Sequence, residues 1–166
     1  MKLVGAIAAV ALVSGPALGI ECQQAHAVYD QPGRQVMLHF SEVPRDGAAN
    51  QIANFSIRIE GVDSKFEGGI YVPNGFGQPR GVVGQDCGAE WSAECRFWDG
   101  PVYALGAEGI MEFAWDPNIA SEEQMAPQQV LLPGFGSNVW YSMERQAAFE
   151  GERTVLDVFT LAACAK

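Results

Sequence analysis

The sequence predicts an all-β domain, mainly antiparallel, built as a sandwich or barrel with one or two short helices and stapled by disulfides. Three observations predict it. Apolar and polar residues alternate with period 2 in several short runs, which gives a strand one face for a core and one for water. Gly/Pro-rich turn signals separate these runs. Four cysteines lie behind an N-terminal segment that reads as an export leader.

The leader comes first in the chain. Lys2 gives a short basic start, Leu3 to Val13 is apolar apart from Gly5, and Ser14, Gly15 and Pro16 break the run. Ala17-Leu18-Gly19 sets small residues at the −3 and −1 positions of a cleavage site, so residues 1–19 read as a signal peptide cut after Gly19. The apolar run is shorter than the roughly 20 residues a spanning helix needs, so no stable membrane insertion is expected after cleavage. Glu21 directly before Cys22 does not suit lipid attachment.

Removing residues 1–19 from the 166 leaves 147, a length that suits one domain, 20–166, with a substantial core. In QVMLHF, Val36, Leu38 and Phe40 alternate with Met37 and His39, and in FSIRIE, Phe55, Ile57 and Ile59 alternate with Ser56, Arg58 and Glu60. Pro44-Arg45-Asp46-Gly47 is the turn between these strands, and Gly61 to Lys65 leads into a third over 66–72. Pro73 to Val83, crowded with glycine and proline, reads as a long irregular loop. Val102 to Leu105 and Ile110 to Trp115 form a hairpin about Gly106-Ala107-Glu108-Gly109, with Met111, Phe113 and Trp115 on one face. A short helix is expected from Asp116-Pro117 to Pro127, with Ser121 and Gln124 as a capping box. Asn138 to Ser142 reads as a strand, and Met143 to Glu150 as a helix or a broad connection. In the last strand, Thr154 to Ala163, both faces are largely apolar, which predicts a central position.

Four cysteines allow three pairings. Cys87–Cys95 is favoured because the two are close across a turn-like Gly88-Ala89, and Cys22–Cys164 because it joins the ends of the mature chain.

Charge narrows the partners. Once Lys2 is gone, nine basic residues face 20 acidic ones. That balance argues against nucleic acid and anionic membrane surfaces and permits a cationic partner. Catalytic patterns are absent: there is no G-x-S-x-G elbow, no C-x-x-C redox pair, no Walker loop and no dinucleotide fingerprint. His26 and His39 read as structural. The seven-residue gap between Cys87 and Cys95 does not suit zinc. Asp86, Glu90, Glu94 and Asp99 could surround a calcium ion at the stapled loop, although no EF-hand pattern supports it. A carboxylate pair directed at glycans stays open, because such a pair is defined in space and not by a motif. No catalytic residue, metal ligand or cofactor is therefore assigned. The leading reading is an exported noncatalytic domain that binds a protein or cell-envelope component. Its candidate tip is Trp91, Phe97 and Trp98 beside the Cys87–Cys95 loop, with Phe76 and Arg80 from the neighbouring segment.

VYALG at 102–106, LLPGFG at 131–136, VWYS at 139–142 and DVFTLAAC at 157–164 resemble segments of small exported proteins of unknown function in Gram-negative bacteria. This resemblance covers the C-terminal third and implies a periplasmic or secreted location without implying site residues. The final strand ending in cysteine is also similar to that of periplasmic lysozyme inhibitors, small disulfide-bonded β-barrels. That second likeness implies inhibition of a basic lysozyme by an acidic surface; the mature chain is longer than that group and its inhibitory motif is not matched.

Overall fold

The computed structural model describes residues 20–45, 47–75, 77–87, 92–106, 108–113, 116, 119, 123–143 and 155–165. Residues 1–19, Phe76 and Trp91 lie outside the described residues. Among the described residues there are ten strands: β1 (Ala27–Asp30), β2 (Val36–Ser41), β3 (Gln51–Ile59), β4 (Phe66–Tyr71), β5 (Arg80–Gln85), β6 (Arg96–Pro101), β7 (Tyr103–Gly106), β8 (Gly109–Glu112), β9 (Gln129–Leu131) and β10 (Val158–Cys164). They form one sheet in the order β6-β5-β4-β3-β2-β1-β10-β9-β7-β8. Every pairing is antiparallel. The sheet curls on itself as a half-barrel, and one helix, α1 (Phe135–Met143), packs beside it. The all-β antiparallel expectation holds, realised as one curled sheet.

The alternating runs behave as period 2 requires. Val36, Leu38 and Phe40 are buried opposite Ile59, Ile57 and Phe55, while Met37, Ser56 and Arg58 face water. The amide of Gly47 donates to the carbonyl of Pro44 at 2.8 Å, closing the expected turn before β3. A register shift between Gln51 and Ala53 lets the neighbours Ile52 and Ala53 both enter the core, as a bulge does. β10 is central, between β1 and β9, and buries Phe159 and Leu161.

Both disulfides form as expected, Cys22–Cys164 and Cys87–Cys95. Ala27 pairs with Cys164, and the amide of Ala165 donates to the carbonyl of His26 at 2.7 Å. The first disulfide therefore fastens the two ends of the domain beside the β1–β10 seam. The second closes the end of the β5–β6 hairpin.

Three expectations need correction. The irregular loop over 73–83 is a strand from Arg80 onward. Gly81 and Gly100 face each other across β5 and β6, and the indole of Trp98 lies where their side chains would be. A Cβ would meet the ring at 2.8 Å at Gly81 and at 2.5 Å at Gly100, so these glycines seat an aromatic ring inside a sheet. Residues 138–142 belong to α1, for reasons given below. The helix expected over 116–127 lies partly outside the described residues; of its described residues, 116, 119 and 123–127, Glu123 is in a helical turn and Met125 forms a bridge to Gln23. Gln124 binds back along this segment: its Nε2 donates to the carbonyls of Asp116 and Ile119, and its Oε1 accepts from the amide of Asp116; Ser121, its expected capping partner, lies outside the described residues. In the hairpin, Met111 is exposed and Phe113 is buried beyond the end of β8, so the two do not share a face; Trp115 lies outside the described residues. The segment 144–150 is also outside them.

The core runs the length of the curl as two chains of aromatic rings. Tyr29, Phe40, Phe55 and Phe113 make one, with Phe40 touching each of the others at centroid distances of 5.5 to 6.2 Å. Phe66, Phe97, Phe135 and Phe159 make the second, which Trp98 joins at Phe135. Tyr29 donates its hydroxyl to the carbonyl of Pro127 at 2.8 Å, and burial pushes its pKa well above that of an ordinary phenol.

Candidate functional site

The residues expected at a binding tip do not share one environment. Trp98 is 3% exposed, packs against Phe135, and donates its indole N–H to the carbonyl of Pro133 at 3.0 Å. It is a core residue that pins the chain before α1 to β6. Phe97 is half-buried between Phe66 and Phe135. Consecutive strand residues ordinarily point to opposite faces. Here Val83 pairs with Trp98 and Gly84 with Arg96, so Phe97 is the extra residue of a bulge, and both rings reach Phe135. Arg80 is exposed and bonded to Asp99 at 2.6 Å, with Arg96 on the other carboxylate oxygen at 3.5 Å.

Two members of the acidic set considered for calcium already have partners. Asp99 serves the two arginines, and Asp86 accepts from the amide of Lys65 at 2.8 Å. Glu90 lies outside the described residues, and among the described residues no group of three or more His, Cys, Asp or Glu is placed to hold a metal. His39 sits on the outer face of β2 between Val28 and Ser56.

Among the described residues, the exposed aromatic surface lies on α1. Trp140 is 47% exposed and Tyr141 68%, and Leu156 beside them is 41% exposed. With Gly136, Ser137, Val155, Asp157 and Val158 they line an open groove of about 660 Å³. Aromatic rings of this size ordinarily supply core or contact area, so two adjacent exposed ones are a feature of note.

Each wall of the groove has a physical origin. Leu132, Phe135, Gly136 and Val139 are buried, and Ser137, Asn138, Trp140 and Tyr141 are exposed, which is a 3.6-residue period and not a 2-residue one. Gly134 takes a left-handed φ of +78°, turning the chain into the helix. The first amides of a helix lack internal partners. Here Asp157 supplies them, accepting from Gly134 N–H at 2.7 Å on one oxygen and from Gly136 N–H at 2.8 Å on the other. A carboxylate at this end also complements the helix dipole. Helix and strand lead approach so closely at Gly136 that any Cβ there would overlap the carbonyl of Val155.

The opposite wall is held by Gln31, which is fully buried. Its Nε2 donates to the carbonyl of Leu156 at 2.6 Å, and its Oε1 accepts the amide of Leu156 at 2.9 Å. One side chain thus acts as a strand partner for Leu156 and fixes the position of its exposed apolar side chain. Sequence reasoning missed this surface because Val139, Trp140 and Tyr141 are strand formers. The available signal was the spacing of Leu132, Phe135 and Val139.

A second groove, of about 810 Å³, runs along β2, β3 and β4. Its lining mixes Arg58 and Lys65 with Glu60, Asp63 and Glu67, which gives no single charge or apolar character to select a ligand.

No known protein family, curated protein or solved structure matches the chain. Two disulfides are compatible with an exported chain. No helix among the described residues is long and apolar enough to cross a membrane.

Proposed function

We propose that the chain is an exported, noncatalytic β domain that binds a protein or a cell-envelope component through the face formed by α1 and residues 155–158. The observation that carries this reading is the exposed pair Trp140 and Tyr141 over a groove with fixed walls. Rigid aromatic side chains give large contact area at small entropic cost, and a preorganised backbone lowers the cost of binding further. The two disulfides and the leader-like N-terminus support an oxidising compartment, either periplasmic or secreted.

The test is capture from envelope and periplasmic extracts of the host, using the full mature chain as bait. Wild type and the Trp140→Ala/Tyr141→Ala double variant are compared by quantitative mass spectrometry. Loss of the same specific bound species with the double variant is the expected result. Identical captures from both would remove α1 as the binding face.

A further inference from the structure

Resting on that reading, we propose that the α1 groove takes a basic protein segment, seating an arginine or lysine side chain between the rings of Trp140 and Tyr141 and the carboxylate of Asp157. Three observations converge on a cation. Two exposed aromatic side chains line one groove, and the π face of Trp or Tyr attracts a cationic head group. The groove also offers Leu156 and Val158 as apolar wall, which suits the long aliphatic stem of Arg or Lys. Among the described residues its charged lining residue is acidic: Asp157 uses one lone pair of each oxygen on the amides of Gly134 and Gly136, and a carboxylate oxygen can accept a second donor.

The whole-chain charge points the same way. With 20 acidic and 10 basic residues, the protein attracts cations over a Debye length and repels anionic ligands. Arg80 and Arg96 are already committed to Asp99. An apolar peptide would gain from the rings but nothing from Asp157 or the field. An uncharged glycan could stack on the rings, and it is the rival that the experiment separates.

The experiment uses the full mature chain, both disulfides intact, and fluorescence anisotropy of labelled hexa-arginine and hexa-glutamate peptides, with an N-acetylglucosamine hexamer as competitor. Variants are Trp140→Ala, Tyr141→Ala and, as a charge control outside the groove, Glu67→Gln. Hexa-arginine is expected to bind, hexa-glutamate not. Trp140→Ala should weaken hexa-arginine about tenfold and Tyr141→Ala by about threefold or more, in the range of a cation–π contact. Glu67→Gln should change it less than twofold. Thermal melts of Trp140→Ala matching wild type exclude loss of fold as the cause. Hexa-arginine binding that is equal in Trp140→Ala and wild type would show attraction by net charge alone and overturn the proposal. Absence of hexa-arginine binding, or its displacement by the glycan, would also overturn it. If the double variant still loses its captured species from host extract while hexa-arginine fails, the α1 face stands and the cationic ligand falls. If capture is unchanged as well, both fall.

Discussion

The β5–β6 hairpin and the α1 segment carry similar aromatic residues and use them in opposite ways. Phe97 and Trp98, next to a disulfide and two glycines, turn inward and close the core. Trp140 and Tyr141, read from sequence as strand residues, stand out in water on a helix. The difference lies in what surrounds each pair. Gly81 and Gly100 clear a bed for the Trp98 indole, and a bulge swings Phe97 to the same side. On α1, Phe135 and Val139 fill the inward face, so Trp140 and Tyr141, on other faces of the turn, are left outside. An aromatic residue's use is therefore set by the smaller residues around it as much as by its own size.

The comparison can be broken most forcefully at the frame that holds both regions. Replacing Cys22 and Cys164 with alanine removes a cross-link of sequence separation 142, worth about 5 kcal/mol in the chain-entropy model. Chemical denaturation should show the largest loss of any variant considered. Little change would mean that the β1–β10 seam holds the ends without it.

Next comes Trp98→Ala, which should cost about 3–5 kcal/mol as a large aromatic leaves a close-packed site. The cost arises from the cavity and from the lost hydrogen bond to Pro133. A Trp98→Ala variant close to wild type in denaturant midpoint would return this residue to the surface.

A smaller effect is expected at the helix cap. Asp157→Ala should cost about 1–2 kcal/mol, because two amides lose their acceptor. Hydrogen exchange should speed first over 134–143 and leave β3 and β4 unaffected. Uniform acceleration across the sheet would contradict a local capping role.

How far the sequence carries the fold follows from which interactions are local. Period-2 alternation in β2 and β3 and the proximity of Cys87 to Cys95 are local, and both are legible. β5 is not, because its glycines look like loop formers until the ring of Trp98, on another strand, is placed over Gly81. α1 is not, because its cap is Asp157, 21 residues beyond Gly136. The clamp of Gln31 on Leu156 spans 125 residues and leaves no trace in local pattern. Of the tip drawn from Trp91, Phe97, Trp98, Phe76 and Arg80, Trp98 is buried, Phe97 half-buried and Arg80 exposed, while Trp91 and Phe76 lie outside the described residues.

Trp98 lies inside the core and Trp140 outside it. Tryptophan oxidation by N-bromosuccinimide under native conditions, followed by peptide mapping, reads both residues in one sample. The expected result is rapid oxidation of Trp140, with Trp98 protected until the protein unfolds and Trp140→Ala within about 0.5 kcal/mol of wild type. Equal rates at the two positions, or faster oxidation of Trp98, would contradict the account.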